Sequence, residues 1–440
     1  MSSICFYFQV HQPYRLRKYG VFDVGSGGGY FDETGENNRN NERIFTKVAE
    51  KCYLPANKMW LTLIKRHPEL RLTYSLTGTI IEQMERWSPE TLSGFQALLA
   101  TGQVELLAET YYHSLSLLYS PEEFRAQLTL HGGIIERVFG KKHKPSVFRN
   151  TELIWHDKFA TELESLGYKG VIAEGADDIL SGRTPNFIYN SNGDTNLPML
   201  LKNYRLSDDI AFRFGEQSWS EWPLDASKFA DWVASTNGSG EVVNLFMDYE
   251  TFGEHQWEDT GIFKFLEALP NAIRAKRDMD FVTASEAIKR YPTRDVVAFP
   301  RFVSWADIER DTSAWCGNPM QDDALSRLYS MRERILATGD KNIIRDWRLL
   351  TTSDHFYYMC TKWFQDGDVH KYFNPHESPY DAYIAFVNVL ADLEQRLTLN
   401  SKKIMGRKII SKRTKDEVKN RATAKISTTN RKIARRKGVK

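Results

Sequence analysis

The chain has 440 residues, 41% of them apolar and 26% charged, which is enough apolar material for a large core and excludes a chain disordered throughout. Its net charge of +2 hides a division: residues 401–440 carry 16 Lys/Arg against 2 Asp/Glu, so the first 400 hold 43 of the 59 basic and 55 of the 57 acidic side chains. No apolar run approaches the ~20 residues a membrane helix needs, and residues 1–10, MSSICFYFQV, lack the basic start and cleavage site of a signal peptide.

The four cysteines, Cys5, Cys52, Cys316 and Cys360, are scattered and form no CxxC pair. Reduced thiols in a cytoplasmic, membrane-free protein are the expectation. The basic segment 401–440 has no aromatics, so it is expected to stay unstructured and to offer at most a contact to an anionic partner.

In chain order, seven short β-branched or apolar runs read as strands: 4–10, 70–76, 104–107, 146–148, 170–173, 242–247 and 280–282. Helical patterns alternate with them, which is the habit of an α/β fold with parallel strands. Ser88-Pro89-Glu90 opens a helix that stops near Gly102, and Ser120, Pro121 and Glu123 open another that runs toward Gly140. The segment 186–206 carries Asn192-Gly193 between apolar runs and predicts an inserted hairpin. Beyond Pro300 the strand signals fade, while 322–337 and 378–397 read as amphipathic helices. The expected organisation is a catalytic barrel over 1–295, a helical domain over 296–400 and the basic tail.

Each predicted strand is followed at once by a polar group. His11 and Gln12 follow the first, Ser75 and Thr77 the second, and Glu109 the third. Glu152 follows the fourth, Glu174 the fifth, Asp248 and Glu250 the sixth, Thr283 and Glu286 the seventh. In parallel barrels the C-terminal strand ends converge on one face and build the site there. Two carboxylates in aromatic company, Glu152 beside Arg149 and Trp155, and Asp248 before His255 and Trp257, suit glycosidic chemistry: one attacks the anomeric carbon and the other protonates the departing oxygen. The same carboxylates paired with local arginines would serve structure alone.

At these residues the sequence resembles glycoside hydrolase family 57. His11-Gln12-Pro13 is similar to its first motif, Gly102-Gln103-Val104-Glu105 to the second, and Arg149 to Trp155 to the third. Met247 to Gly253 is similar to the fourth and Thr283-Ala284-Ser285-Glu286 to the fifth. The resemblance implies an incomplete (β/α)7 barrel followed by a helical domain, and a retaining mechanism on α-glucans with Glu152 as nucleophile and Asp248 as acid/base. It needs no cofactor and no metal. Within the family, α-amylase-like hydrolysis is the first expectation, and 4-α-glucanotransferase or branching activity the alternative.

Sugar contacts are expected from His11, Gln12, Glu105, His113, Arg149, Trp155, Arg213 and Trp257. Trp305, Asp311, Trp315 and Gln321 add to these from a stretch, SWADIERDTSAWCGNPMQ, that is similar to a cleft-lining segment of the helical domain. Competing readings are a metal-assisted hydrolase or deacetylase using His11, His113, Asp248 and His255, which shows no paired ligand spacing, and a non-catalytic glucan-binding protein that needs only the aromatics.

Overall fold

The computed structural model describes residues 2–31, 38–191, 195–362 and 374–400. Its first strand explains the rest. In β1 (Ser2–Val10) the side chains of Ile4, Phe6, Phe8 and Val10 pack outward into the large core under the surrounding helices, while Cys5 and Tyr7 face a second, interior cluster. A run that is buried on both faces must be the central strand of a covered parallel sheet.

Around β1 the pairing is parallel: β2 (Leu72–Leu76) and β8 (Val242–Asp248) flank it, β3 (Val104–Leu106) follows β2, and the short β9 (Met279–Phe281) joins the start of β1. A second sheet runs β10 (Thr293–Val297), β6 (Ile188–Ser191), β7 (Pro198–Lys202), β5 (Gly170–Glu174) and β4 (Val147–Arg149). The sheets meet through a parallel bridge between Ala108 and Phe148 and through Asn244, whose Nδ2 donates to Leu201 O at 2.9 Å. This is the incomplete (β/α)7 barrel, with β1 to β5, β7 and β8 as its wall.

The expected hairpin forms, with β6 and β7 antiparallel, but it is not an insertion outside the wall. Its second arm pairs parallel with β5 and completes the ring, because Met199 and Leu201 bury on the outer face while Leu200 faces inward. The predicted turn residues Asn192 and Gly193 lie outside the described residues. The seventh expected strand, β9, props the base of β1 instead. β10 was not foreseen, because three of its five residues are exposed and no apolar alternation marks it; it straddles residue 295.

Both predicted cap signals work as read. Ser88 caps Pro89–Ala100, and Ser120 caps Pro121–Phe139, which ends at Gly140 with φ +94°. The helix expected over 322–337 is two, Pro319–Ser330 and Arg332–Ala337, and a helix spans 379–400. The helical region shares one apolar core with Leu16, Tyr19, Leu115 and Ile154 from the loops of the barrel. No disulfide joins the four cysteines, and no helix among the described residues is long and apolar enough to cross a membrane.

Candidate active site

Period-two alternation lifts a ring of polar groups to the C-terminal mouth of the barrel. With Val242 and Phe246 inward on β8, Asp248 is in phase with them. The same count turns Arg149 inward behind Val147, Glu174 behind Ile172 and Lys202 behind Leu200. Gln9, behind Cys5 and Tyr7, lies in register with both Ser75 and Asp248.

Glu152 reaches this ring on a strained turn. In the 3-10 turn Thr151–Leu153, Glu152 has φ 58° and Leu153 φ 51°, two successive non-glycine residues in the left-handed region. Such strain, about 1–3 kcal/mol per residue, persists where surrounding contacts over-determine it. Here Asn150 Nδ2 donates to Ile154 O at 2.8 Å, and Trp155 and Val303 exchange backbone bonds of 2.9 and 3.0 Å. The Glu152 carboxylate then accepts three hydrogen bonds: from His113 Nε2 (3.2 Å) and Ser353 Oγ (2.9 Å) on Oε1, and from Trp305 Nε1 (2.9 Å) on Oε2.

His113, itself at φ 51°, spans two carboxylates, with Nδ1 3.3 Å from Glu109 Oε2 and Nε2 on Glu152. Burial alone would discharge this imidazole, but bonds to Glu109 and Glu152 outweigh it and push its pKa up to about 9. It is an imidazolium at neutral pH and donates from both nitrogens. His11 stacks on it at 4.1 Å between ring centroids. Burial and the charge on His113 hold His11 low, so it is neutral: it accepts from Thr77 Oγ1 at Nδ1 (3.0 Å) and donates from Nε2 to Asp354 (3.2 Å).

The two carboxylates are thereby driven apart. Burial would raise Glu152, but His113 and Arg149 overcome it and bring its pKa below the ordinary value. Asp248 is pushed up to about 6 by burial and then by the negative charge of Glu152. One group stays ionised while its neighbour holds a proton in mildly acidic solution, which is the pattern of paired acid and nucleophile assignments. Beside them Glu250, bonded by Tyr53 OH, is raised to about 8 by burial and by Asp248.

On the far side, Lys202 Nζ lies 3.0 Å from Asp208 and 3.8 Å from Glu174, and Arg310 reaches the same two carboxylates at 3.5 and 3.6 Å. Burial raises Glu174 to about 7. Two cations lie over the Trp305 ring, Arg149 Cζ at 5.1 Å and Lys202 Nζ at 5.5 Å from its centroid.

Of the residues expected to bind sugar, His11, His113, Arg149 and Trp305 gather at Glu152, and Gln12 lies next to them, 3.5 Å from Glu250. The others do not. Glu105, two residues below Leu107 on its strand, accepts from Ser285 N (2.9 Å) at the start of helix Ala284–Arg290. Trp155 is 1% exposed in the outer core and packs on Phe159, and Trp315 is 1% exposed in the helical core.

Arg213 pairs with Asp209 within its own segment, and Trp257 is 52% exposed with Lys51 over its ring. Asp311 caps Ser313, and buried Gln321 ties Gly317 N, Ala314 O and Phe356 O together. Ser353 and Asp354 went unread, since Thr-Thr-Ser-Asp after a helix signals only a cap. Gln9 and Tyr7 lie mid-strand, where only the inward phase could have marked them.

Among the described residues no three His, Cys, Asp or Glu side chains are grouped as metal ligands.

The profile of Glycosyl hydrolase family 57 matches residues 5–300. A Methanocaldococcus jannaschii protein named "Putative alpha-amylase" is 41% identical over 402 residues, 89% of this chain and 84% of the relative. Among solved structures, a GH57-type branching enzyme from Pyrococcus horikoshii aligns over 84% of this chain and 87% of its own at TM-score 0.62 and 18% identity. A 4-alpha-glucanotransferase from Thermococcus litoralis aligns at TM-score 0.55 and 16% identity over 84% of this chain, which spans 54% of that longer protein. These last two likenesses concern the fold.

Proposed function

The chain belongs to glycosyl hydrolase family 57 and is a retaining glycoside hydrolase active on α-glucans, and we propose that it hydrolyses α-1,4-glucosidic bonds as an α-amylase through Glu152 and Asp248. Glu152 attacks the anomeric carbon, and Asp248 gives its proton to the departing glycosidic oxygen. Asp248 then takes a proton from the incoming water as the glycosyl-enzyme is cleaved. The observation that carries this reading is the opposed state of the pair: Glu152 is held ionised by His113 and Arg149 while Asp248 titrates near 6.

The 41% identity to a protein named as an amylase favours hydrolysis over transfer. The fold shared with a branching enzyme and a glucanotransferase supports transfer as the second reading, because a sugar hydroxyl accepted in place of water needs the same two carboxylates. A slow fluorinated glucoside is expected to label Glu152; a label elsewhere overturns the assignment. On maltooligosaccharides, rising reducing ends mark hydrolysis, whereas redistributed lengths without a rise mark transfer.

A further inference from the structure

The loop between β10 and helix Ser313–Cys316 carries Trp305, and Trp305 holds Glu152 twice: its indole N–H donates to Oε2 at 2.9 Å and its backbone N–H to the Glu152 carbonyl at 3.2 Å. The loop is pinched at its base by Ser304 N donating to Arg310 O at 3.1 Å and by Ser304 Oγ donating to Asp311 O at 2.5 Å. Between these points Ile308 projects, 82% exposed, while Asp307 and Glu309 pair with Lys362 Nζ at 3.3 and 3.1 Å. Trp305 apart, these contacts tie the loop to itself and to the helical region.

Arg310 links the loop to the barrel wall. Its guanidinium lies 3.8 Å over the Tyr204 ring and reaches Glu174 Oε2 at 3.6 Å and Asp208 Oδ2 at 3.5 Å. Its side chain is 16% exposed, Glu174 is fully buried and Asp208 is 12% exposed, so these charges are little screened. Glu174 ends β5, and Asp208 sits on helix Tyr204–Ala211 just after β7. Lys202 bonds the same two carboxyl groups, and its ammonium also faces the Trp305 ring. Arg310 itself is held at φ 48°, a backbone state that a non-glycine residue keeps only under such constraint.

We propose that Arg310 is a positioning residue, whose salt links to Glu174 and Asp208 fix the Trp305 loop so that the indole N–H stays on Glu152. The inference rests on Glu152 being the nucleophile. Arg310 bonds Glu174 and Asp208 while Glu152 is held by His113, Ser353 and Trp305, so the effect passes through the loop that carries Trp305.

The test reads the acid limb of kcat/KM against pH, which follows Glu152. Besides Trp305, the charged groups bearing on Glu152 are His113, Arg149, Asp354 and Asp248, and none is altered by changing Arg310. Arg310→Ala is expected to lower kcat/KM on a soluble glucan about ten- to hundredfold, the worth of one hydrogen bond to a charged group, and to move the acid limb up by about one pH unit. Trp305→Phe gives the same shift, and adding Arg310→Ala to it changes the limb no further.

Because Arg310→Ala leaves two carboxylates facing one ammonium, Glu174→Gln/Arg310→Gln is made alongside to keep that corner neutral and folded. It is expected to show the same upward shift at an unchanged melting temperature. Arg310→Lys restores charge but not the two-pronged link, and it recovers the parent limb only in part. An acid limb unmoved in both Arg310 variants, or losses that simply multiply with Trp305→Phe, overturns the proposal. If the fluorinated glucoside labels Glu152 while the limb stays put, the positioning role fails and the nucleophile stands; a label elsewhere removes both.

Discussion

At the scale of single residues, the site works by pairing each buried charge with a reason for its state. His113 is charged because two carboxylates bracket it, and Glu152 is ionised because His113 is charged. Asp248 pays for this arrangement: it lies in the field of Glu152 and is pushed up to about 6. The proposed mechanism needs its proton, so kcat/KM is expected to fall about tenfold per pH unit above 6, and a basic limb well above 7 would contradict Asp248 as the acid. The same shift has a stability consequence of opposite use. The folded value lies above the ordinary carboxylate value of about 3.9, so folding takes up a proton between about pH 4 and 6, and stability falls as the pH rises through that window. Asp248→Asn is therefore expected to lose turnover on starch and to be more stable than the parent by about 2 kcal/mol at pH 7.5, with the gain vanishing near pH 4. Denaturant melts at the two pH values decide this.

Elements decide which polar residues reach the mouth of the barrel. Inward phase on β4, β5, β7 and β8 sends Arg149, Glu174, Lys202 and Asp248 to the mouth, while the same phase on β3 leaves Glu105 low, on the backbone of Ser285 and away from the carboxylate pair. Glu105→Ala is expected to strip an N-terminal acceptor from helix Ala284–Arg290 and to cost about 1–2 kcal/mol of stability, with kcat on glucan unchanged. A kcat loss beyond threefold at full folding would return Glu105 to the sugar-binding set. The hairpin teaches a related lesson. Its Asn-Gly signal was legible, yet whether an arm belongs to the wall depends on β5 lying beside it, which no local pattern encodes.

Over the whole molecule, the helical region is part of the site rather than an appendage. Ser353 N–H donates to His113 O at 2.9 Å, its hydroxyl donates to Glu152, and Asp354 receives His11. The barrel proposed for residues 1–295 thus lacks three of the groups that surround its own carboxylates. Ser353→Ala is expected to reduce kcat/KM roughly tenfold by removing one bond to a charged acceptor. Deleting residues 401–440, a segment with almost nothing apolar to bury, is expected to leave melting temperature and turnover as they are. A drop in either would show that the tail packs on the body.

The sequence by itself determined the α/β class, six of the seven wall strands and the helix starts at Ser88 and Ser120, and it singled out Glu152 and Asp248 as the candidate pair, since periodicity, caps and ordered motifs are local properties of the chain. It marked His11, His113, Arg149 and Trp305 on the same basis. Only the tertiary structure decided that Trp155, Trp315 and Gln321 serve packing, and that Ser353, Asp354 and Arg310 lie around the candidate site. Those assignments depend on which distant backbone or charge each side chain meets, and for His11 and Glu152 that neighbour lies 343 and 201 residues away in sequence.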